Sequence, residues 1–409
     1  MTADETAAAS ASTTRDDNRT SVYVIAGAVC ATSMSYNLWY PFLPLYALDL
    51  GATSDANAVF WMSIALTAQG AGRLASSAAW GYLSDRLGRK MMLLRALCLG
   101  SITFGVAAIA SAPWHLAIAL GCQGFFSGFV PASVALVSVI VPDSRLNRSL
   151  SIVTGAQYLG TTIGPAVGAG LALALSYRHS IAVAAIVPLF AALAVLFMVP
   201  RDQVSVRRAR SDTTRSELEP FRMSGQFKLA VAALFTLYCM NELLRLATPI
   251  ALKTLKGSSD VAGEAGLAFS IGGLVSAISV LFVAPRLFGG KPAGRPLGLV
   301  CILGSAGFLL VALASGVSVY ILGFLCIFLV FSAMVPALNT LIAANTTRSR
   351  RGTAFGVAAT FQAGAFAVGP LGAAFFAAVS LDLGFFVLAG LFLALGFVLF
   401  SSVREPQPL

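Results

Sequence analysis

The sequence predicts an all-α integral membrane protein, with twelve transmembrane helices in two six-helix bundles related by a parallel pseudo-repeat. Three observations carry this. The 409 residues are 57% hydrophobic and only 11% charged, with a mean hydropathy of +0.84, whereas a soluble domain is about 45–50% apolar and about 25% charged. Twelve apolar stretches follow one another along the chain, each close to the roughly 20 residues that cross a bilayer as a helix. A shift of about 205 residues lays the second half on the first. Such a composition excludes a soluble enzyme, a nucleic-acid binder and a disordered chain.

The elements follow in order. Residues 1–20 are polar and rich in Ala, Ser and Thr. They lack a basic start followed by a short apolar core, so they read as a loose cytoplasmic tail rather than a cleaved signal. The expected spans are 22–45, 58–80, 91–110, 114–141, 150–176 and 180–199, then 227–250, 262–284, 297–315, 317–344, 354–379 and 383–400. Helices satisfy every backbone group within lipid, and these runs are too long for barrel strands. The organisation expected is an N-terminal bundle over 21–200, a cytoplasmic linker over 201–226, a C-terminal bundle over 227–402 and a C-terminal tail over 403–409. The linker carries six arginines and four acids. All six cysteines sit in apolar runs without a C-x-x-C pair, which speaks against a disulfide or metal framework. No metal and no cofactor is expected.

Orientation follows from the basic residues. Of the 27 Lys and Arg, 22 fall in the tail, the even-numbered loops and the C-terminus, three (Arg178, Lys253, Lys256) on the opposite side, and two (Arg73, Arg245) inside spans. This bias places both termini in the cytoplasm. It also accounts for the formal net charge of +10 without nucleic acid.

The repeat is specific. Phe126, Ser127, Val130, Pro131, Ala132 and Leu136 fall on Phe331, Ser332, Val335, Pro336, Ala337 and Leu341. Gln157, Gly164 and Pro165 fall on Gln362, Gly369 and Pro370, and Pro44 falls on Pro249. Chance explains matches of Ala or Leu but not the matched Gln and prolines. A parallel six-helix repeat is one common transporter architecture.

The loop after the second span reads Gly81, Tyr82, Leu83, Ser84, Asp85, Arg86, Leu87, Gly88, Arg89, Lys90. It resembles the signature loop of the major facilitator superfamily over all ten residues. The resemblance implies a latch, built from Gly81, Asp85, Arg86, Gly88 and Arg89, that holds the inner side closed in one state. Asp143 at the end of the fourth span is the expected partner of Arg89. The corresponding loop of the second half, Pro285 to Lys291, has lost the acid. The fifth span carries Gly160, Gly164, Pro165 and Gly168, which resembles the motif of drug–proton antiporters within that superfamily. Ala169 stands where that motif has a further Gly. Tyr40 to Tyr46 and Gly128 to Pro131 resemble the same branch. One departure is Leu120, where many of these antiporters have an Arg three residues before a Gln-Gly pair, here Gln123 and Gly124.

Charges inside spans are few, costly and usually functional. Glu242, three residues from Arg245 and so on the same helix face, is the candidate proton- or cation-binding group. The alternative is a static ion pair. Arg73 suits either an anionic substrate or helix carbonyls. The fold that the resemblance implies lines its central cavity with the first, fourth, seventh and tenth spans. Asn37, Gln123 and Asn339 become candidate substrate contacts, or interhelical hydrogen bonds. Tyr36, Gln157 and Gln362 are further polar residues within spans. Trp39, Tyr40, Phe125 and Phe126 are candidate walls of an apolar pocket.

The reading is a secondary active transporter, not an enzyme. It is expected to export small amphipathic molecules or drugs by alternating access, with protons as coupling ion, as a monomer in the bacterial inner membrane. The alternative is an importer of an organic anion such as a carboxylate or siderophore. No Ser-His-Asp set, metal cluster or nucleotide loop occurs in the spans, and no P-loop motif.

Overall fold

A computed structural model describes residues 3–200, 223–257, 261–288, 294–346 and 351–403. Within them, the side chains of residues 3–18, 78, 81, 85, 143, 144, 147, 351 and 352 lie outside the description. So do most of the expected linker and the last six residues.

Among the described residues all regular structure is helical. In the first half the order is α1 (Ala3–Trp39), α2 (Leu43–Asp49), α3 (Asp55–Leu87), α4 (Arg89–Ala108), α5 (Pro113–Phe126), α6 (Phe129–Ile140), α7 (Asp143–Ala174) and α8 (Tyr177–Met198). In the second it is α9 (Gly225–Lys256), α10 (Ala262–Ile278), α11 (Ala284–Phe288), α12 (Gly294–Ala312), α13 (Val317–Ala344), α14 (Arg351–Val379) and α15 (Leu381–Ser402). Nine helical stretches among the described residues are long and apolar enough to cross a membrane. The remaining three expected spans fall on α1, α3 and α7, of 37, 33 and 32 residues. Tyr36, Asn37, Gln69, Arg73 and Gln157 interrupt their apolar runs. α1 begins at Ala3, inside the segment read from the sequence as a loose tail.

Helix starts are set locally. Ser54, Ser176, Ser224 and Ser380 each accept a hydrogen bond from the backbone N–H three residues on, at the heads of α3, α8, α9 and α15. Such caps satisfy one of the orphan donors of a helix N-terminus. Between α3 and α4 the chain turns at Gly88, whose φ of +93° is open to glycine and strained for other residues.

Three irregularities depart from a simple row of spans. The first span bends through a 3₁₀ turn at Tyr40–Phe42 before α2, where Pro41 and Pro44 cannot donate to a helical ladder. The expected fourth span is two helices, separated at Ser127 and Gly128, with Gly128 at φ +117°. Its repeat counterpart, α13, runs unbroken through Ser332 and Ala333. The eighth span contains a π turn at Ser279–Val283. α7, by contrast, stays continuous through Pro165.

α1 lies against α7 and α8, α3 against α5, and α4 against α8; in the second half α12 lies against α13 and α15, and α9 against α14. Two seams join the halves, α3 with α14 and α7 with α10. In the repeat α3 corresponds to α10 and α7 to α14, so the seams are counterparts of each other. The α1–α7 contact is backbone to backbone: a Cβ at Gly160 or Gly168 would overlap the carbonyl oxygen of Cys30 or Leu38, and one at Gly164 would come within 2.7 Å of that of Met34. Close approach of this kind is how helices associate in lipid, where the hydrophobic effect gives no help.

Candidate functional site

α3 shows how the site is framed. Its start packs on the second half: Asp55 accepts from Lys253 Nζ of α9 at 2.6 Å, and Thr67 Oγ1 donates to the Ala367 carbonyl of α14 at 2.7 Å. A Cβ on Gly70 would meet the Ala367 backbone at 2.7 Å. From Arg73 onward, Ser76, Ser77, Trp80 and Ser84 line a cavity instead. α7 runs the other way. Its first half, Ser151 to Thr162, lines the cavity, while Pro165 and Ala169 meet Gly266 of α10. The molecule is therefore closed at the end that carries Asp55 and Lys253. It is hollow toward the end that carries Gly88, called here the basic face. The cavity measures about 1810 Å³ and takes its walls from both halves.

Glu242 and Arg245 stand in its wall. Glu242 is 1% exposed, and its Oε1 lies 3.5 Å from Arg245 Nη1. Arg245 reaches across to the first half: Nη2 donates to Asn37 Oδ1 at 3.4 Å, and the guanidinium sits 4.6 Å from the Tyr40 ring centroid. Asn37 is itself oriented by donating Nδ2 to the Ser33 carbonyl at 2.8 Å. Arg73 reaches the opposite way, its guanidinium 5.6 Å from the ring of Phe366 on α14. Such cation–π contacts gain strength where water is excluded.

The structure thus brings Asn37, Arg73, Glu242, Arg245 and Asn339 into one cavity wall, together with Tyr36, Gln157 and Gln362. Gln123 lies elsewhere. It is 0% exposed and accepts from Gln69 Nε2 at 2.6 Å in the seam between α3 and α5. Gly124, beside it, touches the Gln69 backbone so closely that a Cβ would overlap it; Gln123 sits in this tight seam, behind Tyr36 of the cavity wall. The rings divide too. Tyr40 faces Arg245, but Trp39 is buried on Phe104 with centroids 5.4 Å apart, and Phe125 packs edge-on to Trp80 at 5.9 Å. Phe126 meets Phe125 edge to face at 5.3 Å.

Of the expected latch, Arg89 Nη1 donates to the Ala135 carbonyl at 2.9 Å and to Ser138 Oγ at 3.1 Å on α6. Arg86 lies over the Tyr82 ring at 4.4 Å. Gly81 falls within α3 and Gly88 at the turn. The side chains of Asp85 and Asp143 lie outside the described residues, so the Arg89–Asp143 pair does too. Of the α7 motif, Gly160, Gly164 and Gly168 all face α1, and Pro165 faces α10. Ala169 meets Gly266 at a point where a Cβ on the glycine would overlap its methyl group. The small residue that the motif lacks on α7 is supplied by α10.

Sequence reasoning missed the surroundings of the α5–α6 break. Arg95 Nη2 donates to the Ser127 carbonyl at 3.2 Å and its guanidinium lies 3.6 Å from the Trp80 ring centroid. Trp80 Nε1 in turn donates to the Phe125 carbonyl at 2.6 Å. These donors take up carbonyls that the interrupted helix leaves free. The sequence signal was Gly128 against Ala333 in the repeat. Tyr238, Asn241 and Phe366 also line the cavity without having been singled out, as does Phe331, named only for its place in the repeat.

Comparisons with known proteins agree with this architecture. Residues 25–370 match the model of the Major Facilitator Superfamily. The chain is 30% identical over 365 residues to "Multidrug resistance protein MdtG" of Proteus mirabilis (strain HI4320), covering 87% of this chain and 89% of that protein. It is 26% identical over 383 residues to the protein of the same name from Klebsiella pneumoniae (strain 342), at 91% and 89% coverage. The fold resembles the crystal structure of the nucleoside transporter NupG, with a TM-score of 0.72, 15% identity, and 94% and 100% of the two chains covered. It also resembles the human organic anion transporter MFSD10, with a TM-score of 0.67, 20% identity, and 93% and 99% covered.

Proposed function

Since the chain belongs to the Major Facilitator Superfamily and is an integral membrane transporter, we propose that it exports small amphipathic molecules from a bacterial cell by alternating access, coupled to proton entry. The observation that carries this is a cavity walled by both halves, shut at one end by Lys253–Asp55, Thr67–Ala367 and Gly266–Ala169 and hollow toward the other. A rocking of the halves about the two seams would shut the basic face and open the other. The basic face is the cytoplasmic one on the positive-inside rule, so this conformation is inward-open and takes its cargo from the cytoplasm. The names of the relatives support export of drug-like molecules.

Glu242 is the proton carrier in this reading. It is a buried carboxylate of the cavity wall, faced by Arg245 on its own helix, Tyr40 on the turn after α1 and Arg73 on α3. An intramembrane ionisable group facing a cavity is the usual element of a proton path. Arg73 and Arg245 each meet a ring of the other half, so a change of charge at Glu242 is felt directly at the contact between halves.

The test uses inside-out vesicles from a host lacking its own broad efflux pumps, energised to an acid lumen. Ethidium and 1-naphthoate serve as probes. The proposal expects at least one probe to accumulate in the lumen and to leave when an ionophore collapses the pH gradient. Accumulation only in right-side-out vesicles would instead make the protein an importer.

A further inference from the structure

We infer that the transported molecule carries an acidic group, a carboxylate, phosphonate or sulfonate, on an apolar body, and that Arg73 and Arg245 grip this group from opposite halves. The inference rests on the efflux reading and narrows it to a substrate class.

The first argument is charge. Among the described residues that line the cavity there are four arginines, Arg73, Arg89, Arg95 and Arg245, and one carboxylate, Glu242. No lysine or histidine is among those described residues. Low-dielectric walls focus such an excess of one sign and raise the local concentration of the opposite sign. A lipophilic cation entering this space would meet one carboxylate already engaged by Arg245, and the further positive charges of Arg73 and Arg95.

The second argument is how the donors are spent. Arg89 gives hydrogen bonds on α6, and Arg95 gives one to the Ser127 carbonyl at the α5–α6 break, while Arg95 Nε and Nη1 are buried against Trp80 with no hydrogen-bond partner among the described residues. Among the described residues no hydrogen bond or ion pair ends on the Arg73 guanidinium, which lies against the Phe366 ring and faces Glu242 across the cavity wall. Arg245 is held loosely, by contacts of 3.5 Å to Glu242 and 3.4 Å to Asn37, both beyond the usual 2.7–3.2 Å for an N–H donor. Its side chain is 23% exposed to the cavity. An acid group there would gain short, charge-assisted and bidentate contacts, for which guanidinium geometry is suited.

The third argument is position. Arg73 is on α3 and leans on α14; Arg245 is on α9 and leans on Tyr40 and Asn37 of the first half. A group held by both touches both halves, so its arrival and departure bear on their rocking. Tyr238, Phe331 and Phe366 line the same wall and receive the apolar body. Glu242 then acts as an internal stand-in: it neutralises Arg245 in the empty carrier and yields that place to the substrate's acid. An anion leaving a compartment that is negative inside also moves down the electrical gradient, which adds to the drive from proton entry.

The test is a matched series with one aromatic body: 1-naphthoate, 1-naphthylmethylammonium and 1-naphthalenemethanol. Binding to the full chain in neutral maltoside micelles is read from the rise in Tm, and movement from the vesicles described above. The inference expects 1-naphthoate to stabilise the protein most. It expects Arg73→Gln and Arg245→Gln each to weaken that binding about tenfold or more, the worth of a hydrogen bond to a charged group. Arg73→Lys, which keeps the charge, retains most of it, and unliganded melting curves report whether each variant is folded. Tighter binding and export of 1-naphthylmethylammonium, lost in Glu242→Gln, would overturn the acid-group inference while leaving efflux standing. Preferred binding of 1-naphthoate with no outward movement of any probe would uphold the inference and sink the efflux reading. Failure of all three compounds to bind would overturn the inference.

Discussion

Glu242 and Arg245 are three residues apart on α9, and that spacing alone puts them on one helix face. Their partners Asn37, Tyr40 and Arg73 could not be read so. They come from the other half, and Arg245 and Asn37 are 208 positions apart. The pair makes a sharp prediction. Glu242→Gln keeps size and one hydrogen-bonding oxygen but cannot be ionised. The variant is expected to exchange substrate down its gradient at near the parent rate while losing all response to an imposed pH gradient. Reconstituted counterflow with and without the gradient measures both; unchanged pH dependence would leave Glu242 a static ion pair. Gln123 is the contrasting case. The sequence offered it as a substrate contact or an interhelical hydrogen bond, because a helical wheel does not say which face meets a cavity. The structure buries it on Gln69. Gln123→Leu strands a buried amide and is expected to lower stability by about 1–3 kcal/mol, seen as a lower Tm with substrate affinity unchanged. A loss of affinity at full stability would return Gln123 to the binding site.

α7 was the most readable helix, because Gly160, Gly164 and Gly168 recur every fourth residue and so form one bare stripe. That stripe is filled by the backbone of α1. What the sequence could not give was the second face, where Pro165 and Ala169 meet Gly266, since a seam needs two helices and only one carried the motif. Gly168→Val would force its side chain into the Leu38 carbonyl. It is expected to destabilise by about 1–3 kcal/mol or more, the cost of overpacking. Gly266→Val is milder for the fold of either half but presses on Ala169 across the seam, so slowed transport at near-parent Tm is the expected result. The α5–α6 break was hidden for a different reason: residues 114–141 are apolar throughout, and hydropathy does not register a change of backbone direction. Gly128→Ala puts a Cβ at φ +117° and is expected to cost about 1–2 kcal/mol. Gly105→Ala, in the open surroundings of α4, is the control expected to leave Tm unchanged.

Two duplicated halves were the reading of composition, charge bias and the shift of about 205 residues. The conformation was not legible there, because under the proposed alternating access the chain supports two states and its sequence favours neither plainly. The structure holds one of them, with Lys253 and Asp55 joined across the closed end at 2.6 Å. Both side chains are partly exposed, and such pairs contribute about 0–1 kcal/mol, enough to bias two states without locking them. Asp55→Asn is therefore expected to raise the outward-open population up to about fivefold. The exchange of charges in Asp55→Lys with Lys253→Asp is expected to restore it. Failure of the double variant to restore it would mean that the pair does not link the halves. The most direct test places spin labels at Thr53 and Gly257, on the closed end, and in a second variant at Tyr82 and Arg286, on the basic face. Pulsed electron resonance measures both distances in lipid nanodiscs, with and without 1-naphthoate, at neutral and acid pH. Alternating access predicts opposed changes, the first distance lengthening under the same condition that shortens the second. Distances that stay fixed, or that grow and shrink together, would contradict it.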